Sequence, residues 1–228
     1  MNYGGGQSPA HSGEIEALKF LQDSLGQPKP FTLFDVGAND GEYIARALEA
    51  LGANVKAYSF EPQAGSYARL EIRFEDDPRV IPMKLALGDK AGKAELFSAE
   101  IGDATASLHR NIVLDHALSE TVNLTTVDQV CADEAIKQID FLKIDTEGNE
   151  MDVLLGAAKM IELGQISAIQ FEFGDPYVST QYHFVDLWKL LSGRYRVYRI
   201  LRHGLAELDV YSTDLEIYKI ANFLCVKK

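Results

Sequence analysis

Cysteine, long apolar runs and positive charge are all scarce in this chain. The 228 residues include only two cysteines, Cys131 and Cys225, in segments that look helical and strand-like. We therefore expect reduced, buried thiols and a cytoplasmic protein. No run of 18 apolar residues occurs, which argues against a transmembrane helix and membrane insertion. The net charge is −12, from 34 acidic and 22 basic residues, which argues against a nucleic-acid partner because such partners are bound by basic surfaces.

The amino-terminal residues also lack the basic start and apolar segment of a signal peptide. We predict a flexible tail over residues 1–13 and a single domain over residues 14–228, because no repeat or low-complexity segment follows the tail. A hydrophobic content of 46% and a charged content of 25% are typical of a globular domain.

The stretch FTLFDVGANDGEY is the strongest structural signal in the chain. Its apolar run, Phe31 to Val36, is short and meets a glycine at once, which predicts a buried strand of a parallel sheet. Gly37 and Gly41 bracket a tight turn, and the residues from Glu42 onward have a helical apolar pattern, with Asn39 as its expected cap. A turn of this kind lies at the carboxyl end of a strand, where open α/β sheets bind ligands.

The charge near this turn indicates what kind of ligand it binds. Asp35, Asp40 and Glu42 lie in or beside it, and like charges 4 Å apart repel by roughly 4 kcal/mol at an effective dielectric constant of 20. A pyrophosphate would therefore be disfavoured, whereas S-adenosylmethionine (SAM) has a sulfonium, an ammonium and no phosphate. The pattern favours SAM over NAD or ATP, and the alternative is a structural turn with no ligand.

An acidic residue also ends the second predicted strand, Val55 to Phe60. Glu61 follows that strand directly, and an acid in this position can accept hydrogen bonds from the ribose hydroxyls of an adenosine ligand. The alternative is a carboxylate that only complements the dipole of the next helix.

The segment VIPMKLAL, Val80 to Leu87, is predicted to be a third strand. Gly88 and Asp89 follow it, and Asp89 is placed to accept a hydrogen bond from the exocyclic amine of an adenine. A simple Gly-Asp turn is the alternative.

The region from Ser98 to Asn123 has poor periodicity and many small residues. An irregular segment of this length inside a domain is usually functional or disordered. We interpret it as a lid or a substrate loop.

The second charged stretch is IDFLKIDTEGNEMDVLLGA. A strand over Ile139 to Ile144 ends at Asp145, and Lys143, Glu147 and Glu150 lie close by in sequence. A carboxylate here can act as a general base on a substrate hydroxyl, or contact the sulfonium of SAM or a metal ion. The alternative is a solvated helix start. The D-T-E-G spacing is not a metal motif by itself and no Cys or His cluster has zinc spacing, so we predict no metal site and leave open whether a divalent ion assists.

The remaining pattern completes an α/β domain. Strands are predicted over Ile166 to Phe173, Tyr195 to Leu201 and Asn222 to Val226, and one helix is predicted from Met151 through Ile161.

Four segments in this order, FDVGANDGEY, SFEPQ, LALGDKAGKAELF and IDFLKIDTEGNEMDVLLGA, resemble the FkbM family of SAM-dependent methyltransferases. The resemblance covers roughly residues 31–173. It implies a class I methyltransferase fold, a Rossmann-like three-layer sandwich whose seven-stranded, mostly parallel sheet has an antiparallel last strand. It also implies a SAM site and a methyl-transfer site. The SAM-binding positions are Asp35, Gly37, Ala38, Asn39, Glu61, Leu87, Gly88 and Asp89, and Asp145 and Glu147 face the transferred methyl group.

The resemblance further implies O-methylation of a sugar, a glycan or a natural-product hydroxyl, by in-line displacement that depends on alignment of the reacting atoms. The partner is then a small-molecule or glycan acceptor, with a homo-oligomer left open. One alternative is an NAD-dependent oxidoreductase, although the third glycine of its fingerprint is missing and Asp40 and Glu42 crowd the phosphate position. The other is a non-catalytic SAM-fold binding protein.

Overall fold

The computed structural model describes residues 12–25, 30–110 and 118–228, in which helices and strands alternate. The strands are β1 (Phe31–Val36), β2 (Val55–Phe60), β3 (Val80–Met83), β4 (Ala86–Leu87), β5 (Gly92–Ser98), β6 (Leu118–Thr125), β7 (Ile139–Ile144), β8 (Ile166–Phe173), β9 (Tyr195–Leu201), β10 (Gly204–Leu208) and β11 (Ala221–Lys227). The α-helices are α1 (Glu14–Leu25), α2 (Glu42–Leu51), α3 (Ala64–Arg73), α4 (Val127–Asp133), α5 (Glu150–Leu155), α6 (Ala158–Glu162) and α7 (Phe184–Leu191). Two short 3-10 helices span Asp175–Ser179 and Thr213–Leu215.

The central sheet has the strand order β3-β2-β1-β7-β8-β11-β9-β10. Its first five strands are parallel, and β11 runs antiparallel to both of its neighbours, β8 and β9. The predicted class, a mostly parallel sheet with an antiparallel last strand, is confirmed. The sheet has eight strands rather than seven because β10 folds back antiparallel onto β9 and adds an edge strand. From β1 the strand order runs to β2 and β3 on one side and continues with β7 and β8 on the other side. Ligands bind at such a switch point in folds of this kind.

Helices cover both faces of this sheet. Leu18 of α1, Ile44 of α2 and Leu70 of α3 pack in one buried cluster, which also contains Leu33 of β1. Val130 of α4, Val153 of α5 and Leu187 of α7 belong to the cluster on the other face. This is the expected three-layer arrangement, in which each amphipathic helix buries its apolar side against the sheet.

A second, three-stranded sheet corrects two predictions. The segment predicted as one strand, Val80 to Leu87, divides into β3 in the central sheet and β4 in the small sheet β4-β6-β5. The end of the region predicted to be irregular is strand, since β6 pairs with the whole of β5, from Ser98↔Leu118 to Gly92↔Leu124. Local periodicity was weak because this sheet buries little: Val122 is the one buried residue of β6.

The predicted helix through Met151 and Ile161 is also broken into two, α5 and α6. A Cβ atom on Gly156 would lie 2.0 Å from the carbonyl oxygen of Gly88, so the backbone passes too close to the Gly88 loop for any side chain. The second helix starts under the carboxylate of Asp128, which accepts hydrogen bonds from the backbone N–H groups of Lys159 and Met160.

The structure tests the predictions about the two cysteines, the transmembrane helix and the amino-terminal tail to different extents. Cys131 and Cys225 are both free and buried, as expected. None of the described helices is long and apolar enough to span a membrane. Most of the predicted tail, residues 1–11, lies outside the described residues. Its last two residues, Ser12 and Gly13, are buried against the domain.

Candidate active site

A cleft opens at the carboxyl ends of β1, β2 and β7, where the strand order reverses. Six residues that the sequence marks as site residues line it: Gly37, Asn39, Glu61, Leu87, Asp145 and Glu147. The side chains of Leu85, Leu96 and Leu108 give it an apolar wall. An apolar wall opposite a few polar groups is typical of a small-molecule site.

The turn after β1 depends on the glycine at position 37. Gly37 has φ +82°, and a Cβ atom there would lie 1.8 Å from the carbonyl oxygen of Asp145. The turn and the end of β7 can approach each other this closely only because glycine has no side chain. Ala38 is buried below the turn, and its N–H donates to the Phe60 carbonyl oxygen (3.0 Å). The predicted capping role of Asn39 is wrong, since Asn39 has φ +47° and Gly41 is the N-cap of α2.

Glu61 is held at the end of β2 with its carboxylate in the cleft. It is 6% exposed, and its two oxygens accept hydrogen bonds from the N–H groups of Asn39 (Oε2, 2.8 Å) and Gln63 (Oε1, 2.8 Å). Burial raises the pKa of Glu61 to about 7, and these two hydrogen bonds offset only part of that effect. Each carboxylate oxygen can accept a further bond, so the group is fixed in place and still able to bind a diol.

Asp35 lies beneath the turn rather than in the cleft lining. It is fully buried, its Oδ1 is 3.4 Å from Lys143 Nζ, and Lys143 Nζ is also 3.1 Å from Asp145 Oδ2. The ammonium group lies 4.7 Å from the ring centroid of Tyr43. Burial raises the pKa of Asp35. Burial also acts to lower the pKa of Lys143, but the charges of Asp145 and Asp35 outweigh this effect and raise that pKa overall, so the lysine remains charged. Asp35 is therefore linked to the cleft residue Asp145 by the ion pairs that both make with Lys143. Direct contact between Asp35 and a cofactor stays a prediction.

The cleft is acidic, as expected, but through a different set of residues. Asp40 pairs with Arg73 (3.5 Å) and Glu42 is exposed on α2, so neither lines the cleft. The acidic residues in the lining are Glu61, Asp103, Asp145 and Glu147.

Three carboxylates meet beside the cleft, at the carboxyl ends of β7 and β8. Asp145, Glu147 and Glu172 each offer an oxygen that lies within 4.8 Å of the others. Burial, followed by the charge of Asp145, raises the pKa of Glu147 to about 8 and that of Glu172 well above its usual range. Glu172 was not among the predicted site residues, although its position at the carboxyl end of β8 resembles that of Glu61 after β2 and Asp145 after β7.

The turn that carries Glu147 is shaped by a buried carboxylate. Glu150 accepts hydrogen bonds from the N–H and hydroxyl groups of Thr146 (2.8 and 3.1 Å) and from the N–H of Gly148 (3.1 Å). This network holds Glu147 at φ +54°, a left-handed conformation that side chains rarely adopt. The charged cluster predicted from sequence thus divides into a structural acid, Glu150, and the cleft acids Asp145 and Glu147.

The predicted adenine segment is only partly in the cleft. Leu87 lines it, and its carbonyl oxygen accepts from Asn149 Nδ2 (2.9 Å). Gly88 is buried, with its N–H bonded to the Thr125 carbonyl oxygen (2.9 Å), and Asp89 is exposed beside Lys90 (3.7 Å). The roles of Gly88 and Asp89 near an adenine stay predictions.

The segment before residue 111 forms one wall of the cleft. Asp103, Ala104, Ala106 and Leu108 line it, and the Ser107 hydroxyl donates to the carbonyl oxygen of Glu147 (2.7 Å). The predicted lid or substrate loop therefore borders the site, and its residues 111–117 lie outside the described part of the chain.

Comparisons with known proteins agree with this geometry. The model of the methyltransferase FkbM domain family matches residues 35–200, well over half of the chain. The hexuronic acid methyltransferase AglP of Haloferax volcanii is 25% identical over 182 residues, which cover 79% of this chain and 68% of that protein. The 2-O-methyltransferase NoeI of Sinorhizobium fredii is 26% identical over 153 residues, which cover 60% of this chain and 61% of that protein.

The fold comparison leads to the same class. The methyltransferase domain of METTL16 has a TM-score of 0.52 with 10% identity, covering 94% of this chain and 66% of that one. At that identity the likeness concerns the fold alone. The family match favours the methyltransferase prediction over the oxidoreductase and the non-catalytic alternatives.

Proposed function

Because the chain belongs to the methyltransferase FkbM domain family, we propose that it transfers a methyl group from SAM to a hydroxyl group of a sugar, a glycan or a small natural product. The observation that carries the proposal is one cleft that is lined by Glu61, by the Gly37 turn and by the acids Asp145 and Glu147. The sugar acceptor is suggested by the names of AglP and NoeI, which refer to a hexuronic acid and to a 2-O position.

The residues present fit a SAM molecule. Glu61 is preorganised for a diol, the apolar residues Leu85 and Leu87 suit an adenine face, and the acids Asp145 and Glu147 suit a cation. Bound SAM supplies an electrophilic methyl group on a sulfonium. The residues of the chain then need to orient the acceptor, exclude water and take up one proton.

Orientation comes from rigid positions at the ends of strands. Asp145 is fixed by the Lys143 ammonium. Glu147 is fixed by the hydrogen bond from the Ser107 hydroxyl to its carbonyl oxygen and by the turn that Glu150 holds. Alignment of reacting groups on such supports is the main source of rate enhancement expected for a displacement of this kind.

The proton of the acceptor hydroxyl goes to Glu147 or Asp145. Glu147 is favoured, since no described side chain donates a hydrogen bond to its carboxylate, whereas Asp145 is already bonded to Lys143. The pKa of about 8 for Glu147 is close to the working pH, where a general base is most effective.

The test is methyl transfer by the purified full chain. SAM is supplied with a panel of hexuronic acids, neutral hexoses and glycans, S-adenosylhomocysteine release is measured, and the product is mapped by NMR for an O-methyl group. Glu147→Gln is expected to abolish most of the release, and the exposed control Glu162→Gln to leave it unchanged.

Three outcomes contradict the proposal in different ways. Methylation at nitrogen or carbon would overturn the O-methyl assignment. S-Adenosylhomocysteine binding without release on any acceptor would favour the non-catalytic alternative. Binding of NAD in place of SAM would revive the oxidoreductase alternative.

A further inference from the structure

We propose that a divalent cation, of the magnesium or manganese class, binds at the edge of the cleft, held by Asp145, Glu147, Glu172 and Asn222. This inference rests on the proposed function for its role, which is to hold the acceptor oxygen. It does not rest on that function for its existence, because ion binding can be measured without any acceptor.

The first observation is the geometry of the three carboxylates. Their oxygens lie within 4.8 Å of one another. Opposite oxygens around a hard cation are separated by twice the metal–oxygen distance, which is about 4.2 Å for magnesium and about 4.8 Å for calcium. The bound of 4.8 Å on the carboxylate oxygens exceeds the magnesium value by about 0.6 Å, so small side-chain rotations would bring the three oxygens onto one ion. Carboxylate oxygen is the ligand that such ions prefer.

The second observation is a buried amide next to the three acids. Asn222 is 6% exposed, and its side chain makes no hydrogen bond within the described residues. It lies directly opposite Glu172 in the β8–β11 pairing, and cross-strand partners point to the same side of a sheet. The amide oxygen of Asn222 therefore keeps both lone pairs available, and an oxygen-binding cation could use one of them.

The register places these ligands in one row. Ile144 pairs with Phe171, so the next residues, Asp145 just after β7 and Glu172 on β8, are neighbours at the same edge of the sheet. Asn222 continues the row on β11, and Glu147 approaches from the turn after β7. Three ligands therefore come from adjacent strands of a rigid sheet, which is the support that a metal site needs.

Charge balance points the same way. Lys143 is the one cation that the described residues place against this group, and it is shared between Asp35 and Asp145. The fold satisfies Glu150, a structural acid next to them, with backbone and hydroxyl donors, but gives Glu147 and Glu172 no donor among the described side chains. The sulfonium of SAM adds one positive charge, because its ammonium and carboxylate cancel, and this leaves carboxylates for a divalent ion to balance.

Such an ion would have a definite use in the cleft. An acceptor hydroxyl bound to it is oriented and becomes more acidic, as water does on a metal. The O–H bond would break and its proton would pass through a carboxylate to solvent. The oxygen's electron pair would then form the O–CH3 bond as the C–S bond of SAM breaks, and sulfur would keep that bond's pair in the leaving S-adenosylhomocysteine.

The experiment measures ion binding first, with no SAM or acceptor present. Metal-stripped full-length protein is titrated with Mn²⁺, and the free ion is followed by electron paramagnetic resonance. We expect one ion per chain, and at least about tenfold weaker binding in Glu172→Gln and in Asn222→Leu. Asn222→Asp keeps an oxygen ligand and should retain binding, and the surface variant Glu162→Gln should bind like the wild type.

The outcomes separate this inference from the proposed function. The site is overturned if no Mn²⁺ binds, or if Glu172→Gln and Asn222→Leu bind Mn²⁺ as tightly as the wild type. Either result counts even if methyl transfer is intact. Full transfer activity in EDTA overturns the role of the ion. Mn²⁺ binding that depends on Glu172 and Asn222 supports the site, even if no sugar tested is methylated. The absence of methylation would then contradict only the proposed function.

Discussion

The substitution Glu61→Gln tests the cofactor site most directly, because it keeps the size of the side chain and removes its charge. The Glu61 carboxylate accepts from the N–H groups of Asn39 and Gln63 at 2.8 Å each and has capacity left for two ribose hydroxyls. The amide of glutamine offers one accepting oxygen in place of two. We therefore expect the loss of about one charge-assisted hydrogen bond to the ligand, roughly 1.5–3 kcal/mol. This corresponds to binding of S-adenosylhomocysteine that is weaker by about 10- to 100-fold.

The raised pKa of Glu61 adds a pH dependence with a definite sign. With a pKa of about 7 in the free protein, only the ionised carboxylate accepts both hydroxyl protons, so binding favours the deprotonated form. The ionised fraction rises from roughly one tenth at pH 6 to nine tenths at pH 8, which predicts affinity about tenfold higher at pH 8. In Glu61→Gln this rise should disappear.

Titration calorimetry of both proteins with S-adenosylhomocysteine, at the two pH values, measures both effects. The control is Glu162→Gln, which removes an exposed carboxylate far from the cleft lining. Urea unfolding of each variant checks that the fold survives, since one backbone N–H loses its acceptor in Glu61→Gln. Equal affinities for wild type and Glu61→Gln at pH 8 would refute the ribose assignment. An affinity that does not change with pH in the wild type would refute the reasoning from burial.

Four further substitutions test the site and its support. Gly37→Ala places a Cβ atom 1.8 Å from the Asp145 carbonyl oxygen at φ +82°, and should lower the free energy of unfolding in urea by about 2–5 kcal/mol, whereas Gly52→Ala, which meets no neighbouring atom, is the milder control. Lys143→Met leaves buried carboxylates without a cation and should cost about 3–5 kcal/mol at neutral pH; an unchanged urea midpoint would contradict the buried ion pair. Asp145→Asn should slow S-adenosylhomocysteine release by about 100-fold or more while shifting the unfolding midpoint little, and normal turnover would remove its catalytic role. Glu172→Gln should flatten the pH dependence of stability in the ligand-free protein: burial and the charge of Asp145 raise the pKa of Glu172 in the folded protein, so the stability of the wild type falls as pH rises above the usual carboxyl range, and equal pH profiles of the two urea midpoints would refute this.

The fold was predictable where local sequence and global topology agree. Phe31 to Val36 and Ile166 to Phe173 are short, mostly apolar segments, and both are strands with those bounds. The strand β6 was missed because its pairing with β5 is a long-range event on a sheet that buries Val122 but leaves most of its other residues open to solvent. The break at Gly156 depends on the Gly88 loop, which is distant in sequence, so no local pattern in the predicted helix could mark it.

The site shows the same limit. Gly37, Glu61 and Asp145 were predictable because each follows a strand directly, and parallel strands bring such positions to one edge. Asn222 could not be found in this way. It stands near the start of an antiparallel strand, whose amino end lies at that same edge, and only the pairing with Glu172 reveals it.

The acids Glu61, Asp145 and Glu172 occupy equivalent positions, each directly after or at the end of a parallel strand, yet their partners differ. Glu61 has two backbone donors and Asp145 has an ammonium group, whereas the carboxylate of Glu172 has no donor within the described residues. A carboxylate that is partly buried and unpaired lowers stability unless something binds it. The chain keeps such a group next to two more acids and the Asn222 amide, at the edge of the sheet where we propose that the acceptor is held. This destabilisation of the free protein is offset if an ion or a cofactor brings the balancing positive charge. The acidic edge of the sheet is then neutralised only when that ligand is bound.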